Sequence, residues 1–278
     1  MLSDLSSLQN SIAADQFKIA ISTENIANSN LIGYKRKEVE FTSVFSKLLK
    51  PGTENSQGGL GGTNPQERSM GLKVTSVSRQ FTAGALTDGT TLDLAFTNNN
   101  TFFVVSPDGG NRFLYSRSGK FRAGSNNKLV TADGLPVYGY KIDEGGFRSN
   151  VLEQIDLGTG QTPVWDAQGK LTVTDSVTGT TKTIFQIAIT AFANPSGLTD
   201  GNSNTFKQSV SSGSAYDFTV PGTTLGTVVP GKLEEANVDA GEETLTGILP
   251  TQRYLQAKYT AVQAILNTTD KFLQAVAG

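Results

Sequence analysis

Three groups of residues have types and spacings that could do chemistry. Ser125 and Lys128 stand in the Ser-x-x-Lys spacing of a serine nucleophile whose proton is taken by a neighbouring amine. That arrangement works at the start of a helix, whereas here it falls in an expected hairpin turn, so it reads as a turn. The carboxylates Glu234, Glu235, Asp239, Glu242 and Glu243 could pair for acid–base work or gather a hard cation. They crowd the approach to a helix, where acidic side chains favour the positive end of the dipole, and so read as caps and a solvated face. Gly58, Gly59, Gly61 and Gly62 have the freedom of a phosphate-cradling loop but neither a strand before them nor a Gly-Lys-Ser/Thr ending, which leaves a flexible linker. Trp165, Tyr138 and Tyr140 could mark a ligand surface, yet aromatics on strands belong to the core. With no His and no Cys among 278 residues, a Ser/His/Asp triad, a cysteine nucleophile, a disulfide and a nitrogen- or sulfur-ligated zinc or iron site are all excluded. No catalytic, cofactor-binding or metal-ligating residue is assigned, and no enzyme activity is expected.

The elements that could position such groups differ along the chain. Leu5, Leu8, Ile12, Ile19 and Ile26 follow spacings of 3, 4, 7 and 7, a narrow coiled-coil-like stripe interrupted by Asp15 and Ser22, with Phe17 and Ile21 forming a second partial stripe. Asn28, Ser29, Asn30 and Gly33 then stop this helix, and Lys37 to Leu49 reads as a second, shorter one. Near the other end Leu245, Ile248, Gln252, Leu255, Tyr259, Val262, Leu266, Thr269, Leu273 and Val276 alternate spacings of 3 and 4 without a break. Proline is tolerated only in a first helical turn, so this helix is expected to begin near Pro250.

Between the ends, strands are expected at Leu72 to Val77, Leu92 to Phe96, Thr101 to Ser106, Phe113 to Arg117, Leu129 to Thr131, Val137 to Tyr140, Leu171 to Thr174 and Thr183 to Phe192. Turn residues such as Asp108, Gly109 and Gly110, or Asp133 and Gly134, separate them at the spacing of antiparallel hairpins. The fold class is α+β: a central antiparallel β-rich domain flanked by N- and C-terminal amphipathic helices that pair in a coiled-coil-like bundle. The expected division is 1–50 for the N-terminal helical part, 51–70 for a Gly-rich linker, 71–230 for the β domain and 231–278 for the C-terminal helix. A formal charge of −2 with scattered Lys and Arg argues against nucleic acid. No apolar run approaches the roughly 20 residues of a membrane helix, and the first thirty residues lack the pattern of a cleaved signal. Two narrow stripes cannot cover a helix of roughly 45 Å, so apolar surface is left for partners.

At residues 24–36 the chain meets a known pattern: Asn25, Ile26, Ala27 and Asn28, then Gly33, Tyr34, Lys35 and Arg36. It closely resembles the N-terminal signature of the bacterial flagellar rod and hook proteins. Further motifs follow in that family's order: Leu92 to Phe96 with Phe102 and Phe103, Tyr115 to Phe121, Leu129 to Tyr140, Phe192 to Leu198 with Gly201 and Phe206, Gly231 to Asp239 including Asn237 and Val238, Gln252 with Arg253, and Thr269 with Asp270. Departures are Asn98, Asn99 and Asn100 where the family shows Gly-x-Gly, the presence of Gly247 and Pro250, and an aromatic at Tyr254, one position early. The asparagines, able to take left-handed angles, are expected to preserve the turn.

The resemblance implies a structural subunit that polymerises helically with copies of itself. Paired terminal helices would line an inner channel and fold on assembly, and the β domain would form an outer wall. It implies the other rod, hook and junction proteins and an assembly cap as partners, no cofactor, no membrane insertion, and export without a cleaved signal to the basal body or hook. About ninety residues between Tyr140 and Pro230 leave little room for an extra outer domain, which leans toward rod; Gly71 to Gly84 resembles the hook pattern and leans the other way. A surface adhesin or carbohydrate-binding β module with a helical stalk is the reading from a different class.

Overall fold

A helix, α1 (Leu2–Ala27), opens the chain and another, α2 (Ala240–Ala277), closes it. The computed structural model describes residues 2–43, 46–52, 64–69, 72–158, 161–175, 179–218 and 228–277. Two compact units divide the chain: Met1–Ile26 with Lys37–Ser78 and Asp239–Gly278, and Ala27–Arg36 with Arg79–Val238. Residues 72–78 and 231–238, grouped by sequence with the β domain and the C-terminal helix respectively, fall on the opposite sides of that division.

In the helical unit the stretch expected to be a short helix from Lys37 to Leu49 is extended instead over its described residues, 37–43 and 46–49. Lys37–Ser43 pairs with Leu72–Arg79, and Ser46–Lys50 pairs antiparallel with Gln66–Ser69. The reason is the period of the side chains. Lys37, Val39 and Phe41 are half-buried while Glu38, Glu40 and Thr42 are exposed, the two-residue alternation of a strand. Of the expected linker, 51–70, the described residues are 51–52 and 64–69, and Gln66–Ser69 is strand and not linker; Gly58, Gly59, Gly61 and Gly62 lie outside the described residues.

The α2 helix begins at Ala240, ten residues before Pro250, and runs through the proline. Its first turn is already satisfied. Asp239 Oδ1 accepts the Gly241 and Glu242 amides at 2.8 and 3.1 Å, and Glu242 and Glu243 bring negative charge to the positive helix end. Asp239→Ala is expected to cost this unit about 1 kcal/mol, read as a lowered midpoint of the helical circular dichroism signal.

The β unit is built on two antiparallel sheets. The five-stranded one runs Arg148–Gln154, Tyr138–Ile142, Thr181–Ile187, Lys170–Asp175, Gln161–Trp165. The six-stranded one runs Thr199–Asp200, Thr205–Lys207, Leu114–Ser116, Thr101–Val105, Ile189–Ala191, Tyr216–Phe218. The stretch read as one strand from Thr183 to Phe192 is therefore two. At Ala188 the chain passes from one sheet to the other, its amide donating to the Tyr138 carbonyl.

Strand Thr101–Val105 is buried along its whole length. Its alternate residues feed two separate clusters: Phe103 and Val105 join Leu94, Phe96, Leu129 and Trp165, whereas Phe102 and Val104 join Phe81, Tyr138, Tyr140 and Phe206. Trp165, Tyr138 and Tyr140 are thus core residues, and the Trp165 indole donates to the Leu92 carbonyl at 3.0 Å. The turn at Asn98, Asn99 and Asn100 persists, but without left-handed backbone at any of the three. Asn98 Oδ1 accepts the Asn100 amide at 3.2 Å instead.

Candidate functional site

The signature residues converge within each unit on a buried polar cluster. In the β unit a turn over 31–34, in which the Tyr34 amide donates to the Leu31 carbonyl, contains Gly33, whose φ of +70° suits glycine and where a Cβ would stand 2.6 Å from the Ser118 amide nitrogen. That close approach carries Lys35 inward. Its Nζ donates to Glu234 Oε1 at 2.6 Å and to the Thr82 carbonyl at 2.7 Å. From the turn after Leu114–Ser116, Arg117 Nε donates to Glu234 Oε2 at 2.6 Å and Nη1 to the Thr101 carbonyl at 2.7 Å. The guanidinium lies 5.2 Å from the centre of the Phe96 ring.

The side chains of Lys35, Arg117 and Glu234 are 0%, 0% and 2% exposed. Burial pulls Lys35 down from 10.5 to about 8, against the attraction of Glu234 and helped by the like charge of Arg117. Burial by itself would raise Glu234, but the charges and hydrogen bonds of Arg117 and Lys35 outweigh it and hold the carboxyl below its ordinary value. Glu234 is therefore the centre of an ion cluster and neither a cap nor part of a solvated face; only Glu235 beside it is exposed. Each of three distant motifs contributes one charge. Nothing in the spacing of a single sequence says that the three meet.

Around this cluster Asn237 joins two further segments. It accepts the Arg36 amide at 2.7 Å on Oδ1 and donates to the Gln80 carbonyl at 2.7 Å. Arg79, absent from the motif residues singled out by sequence, donates to the Lys35 carbonyl at 2.8 Å and to Asp200 at 2.7 Å. Its guanidinium also lies 5.5 and 5.4 Å from the Tyr34 and Phe206 ring centres. Tyr34 is buried and Val238 half-buried.

In the helical unit Asn25 grips the backbone of Lys37 in both directions, its Oδ1 accepting the amide and its Nδ2 donating to the carbonyl, each at 2.9 Å. The same Nδ2 donates to Glu243 Oε1 at 2.9 Å, and Ser22 Oγ donates to Glu243 Oε2 at 2.8 Å. Glu243, read from sequence as a cap or a solvated side chain, is instead buried and ties α1 to the first turn of α2. Ser22, which looked like a flaw in the apolar stripe, is the residue that makes this contact. Further along, Gln16 Nε2 donates to Tyr254 Oη at 3.1 Å, and Arg253 lies 3.7 Å from Asp15. Successive contacts move back along α1 as they advance along α2, so the helices run antiparallel.

The stripe residues are unevenly covered. Ile12 and Ile19 are half-buried, and Ile26, Ala27 and Gln252 are exposed, while Asn28 is half-buried. Leu245, Ile248, Leu255, Tyr259, Val262, Leu266 and Leu273 are between 43% and 68% exposed. Leu5 and Leu8 lie on α1 and Val276 on α2. An open groove of about 290 Å³ between the helices is lined by Ile19, Ser22, Ile26, Gly247, Ile248 and Thr251 among others.

Among the described residues no group of three or more acidic side chains is placed to hold a metal, and no helix is long and apolar enough to cross a membrane. Ser125 and Lys128 occupy the loop between Phe121–Ala123 and Leu129–Thr131, where the Gly124 amide donates to the Lys128 carbonyl and Asn127 takes a φ of 55°. This is a hairpin turn, not a helix start.

No protein-family model matches the chain. The flagellar basal-body rod protein FlgG of Bacillus subtilis is 30% identical to it over 263 residues, 93% of this chain and 92% of that protein. The flagellar basal-body rod protein FlgG of Agrobacterium fabrum is 30% identical over 271 residues, 95% of this chain and 94% of its own. The flagellar hook protein FlgE of Helicobacter mustelae is 34% identical over 146 residues, 52% of this chain and 32% of the hook protein.

Proposed function

Since the chain belongs to the family of flagellar rod and hook proteins, we propose that it is a structural subunit of the rod, part of the flagellar axial tube that transmits torque and encloses the export channel. The observation that carries this reading is the apolar line from Leu245 to Leu273 along α2, whose large side chains all remain 43–68% exposed although α1 lies against the first turns of the helix. Seven large apolar side chains at helical spacing on one exposed face are far more than a lone soluble helix needs, and a neighbouring copy would cover them. In this reading α1 and α2 pair in a coiled-coil-like bundle and carry the assembly interface, and the β unit forms the outer wall. The rod in preference to the hook is supported by correspondence with rod proteins over nearly the full length, against half of this chain for a hook protein.

Neighbouring rod, hook and junction proteins and an assembly cap are the expected partners, with self-association the dominant one. No catalytic step, cofactor, nucleic acid or membrane insertion enters this reading.

Leu255→Asp or Ile12→Asp is expected to abolish polymerisation, measured by sedimentation and electron microscopy, while the β circular dichroism signal and its melting midpoint stay within error of the unsubstituted protein. Polymers formed at the normal critical concentration by the Leu255→Asp variant would remove the helical stripe from the interface. Limited trypsin digestion gives a second test. Lys35 and Glu234 are core groups of the β unit, so a protected product is expected to retain 27–36 in association with 79–238 and not to be a simple 74–232 fragment.

A further inference from the structure

Lys35, Arg117 and Glu234 place two cations on one carboxylate inside the β unit, with all three side chains out of contact with water. The charged groups that face Lys35 Nζ are Glu234, from strand Lys232–Glu234, and Arg117, from the turn after Leu114–Ser116; the 79–82 stretch adds the Thr82 carbonyl at Nζ and the Arg79 guanidinium at Lys35's own carbonyl. Arg117 alone balances Glu234, and a guanidinium does not give up its proton in a protein. The proton on Lys35 is thus the surplus charge of the cluster, and a surplus buried charge is costly.

We propose that this cluster is a proton-operated latch on the 33–36 segment, which closes more tightly when Lys35 is neutral. The neutral amine keeps both of its contacts, since it can still donate to Thr82 and Glu234. Segment 27–36 is a short arm that reaches its unit from outside the continuous stretch 79–238, so it can open without the sheets coming apart.

The direction follows from linkage. With the segment open, Lys35 returns to its ordinary value of 10.5; closed, burial holds it near 8. Between those values the open state binds more protons than the closed one, so opening becomes less favourable as pH rises through that window. Toward acid the trend continues, because protonating Glu234 would leave two cations facing a neutral acid.

The test is pulse-labelling hydrogen exchange on the full chain, read at the Gly33 amide, which donates to the Glu234 carbonyl at 2.7 Å, and corrected for intrinsic rates. Protection is expected to rise roughly tenfold or more between about pH 7 and pH 9.5, and Lys35→Met is expected to flatten the rise to within about twofold. Protection independent of pH in the unsubstituted chain, or the same rise in the Lys35→Met variant, overturns the latch. Should that variant fail to fold, carbon-labelled lysine observed by NMR in the unsubstituted chain decides it: a Lys35 midpoint near 8 supports the latch, and one near 10.5 overturns it.

Discussion

Glu234→Gln is expected to lower the unfolding free energy of the β unit by about 3–5 kcal/mol. The amide keeps the shape of the side chain but leaves Lys35 and Arg117 buried without a counter-charge, and its NH2 group would point donors at donors. A urea titration followed by tryptophan fluorescence measures it, because Trp165 is the sole tryptophan and lies in the β unit's core. The same substitution should change the acid limb of stability. Glu234 has a folded value held below its ordinary one, so its contribution is complete above about pH 4.5 and is lost as pH falls through the folded value. That part of the acid transition should be missing in Glu234→Gln. Replacing all three charged residues together by apolar ones of similar size should cost less than removing the carboxylate alone, since no orphaned charge is left behind. A Glu234→Gln loss below about 1 kcal/mol would mean that the cluster admits water and is not the closed ion site described here.

Phe103→Ala is expected to cost the same unit about 3–5 kcal/mol, through both lost burial and the cavity left behind. Phe103 is fully buried in the middle strand of a sheet, stacked on Phe96 with ring centres 4.1 Å apart and edge-on to Phe121 at 5.0 Å. These rings come from three strands, so the cavity cannot close without moving backbone that the sheet hydrogen bonds hold. Phe147, 76% exposed, supplies the contrast: its substitution by Ala should stay within about 0.5 kcal/mol. Equal losses at the two positions would contradict the arrangement of the core.

Legibility from sequence varied with the range of the interaction concerned. The apolar run at Thr101–Val105 reads as a buried strand because it is short, rich in Phe and Val, and bounded by turn residues at Asp108, Gly109 and Gly110. Turns were legible for a similar reason: Asp-Gly pairs and Asn127 carry their backbone preference within one or two residues. The α2 stripe was visible because its spacing is repeated over ten positions. Where local rules competed, the sequence misled. Pro250 argued for a helix start, yet the cap supplied by Asp239 and the acidic first turn set the start at Ala240. Lys37 to Leu49 reads as a second helix by sequence, but the two-residue alternation over 37–42 and the pairing of Lys37–Ser43 with Leu72–Arg79 prevail.

The polar clusters lay beyond sequence reasoning altogether. Ser22 looked like a gap in a stripe, and Glu243 like a cap; each makes sense only once α1 and α2 are side by side, 221 residues apart in the chain. Gly33 and Lys35 were recognised as a motif, but their reason is the Ser118 backbone and the Glu234 carboxylate.

By itself the sequence determined what depends on composition and on neighbours along the chain: the absence of histidine and cysteine chemistry, the α+β class, the helix at each end, the apolar stripe and the family. Only the tertiary structure decided which charges are buried together, which carboxylates leave solvent, and which backbone the signature asparagines hold. The physical reason is that an ion pair or a side-chain clamp depends on distance in space, and partners separated by 82 or 199 residues, as Arg117 and Glu234 are from Lys35, leave no periodicity for a sequence to display.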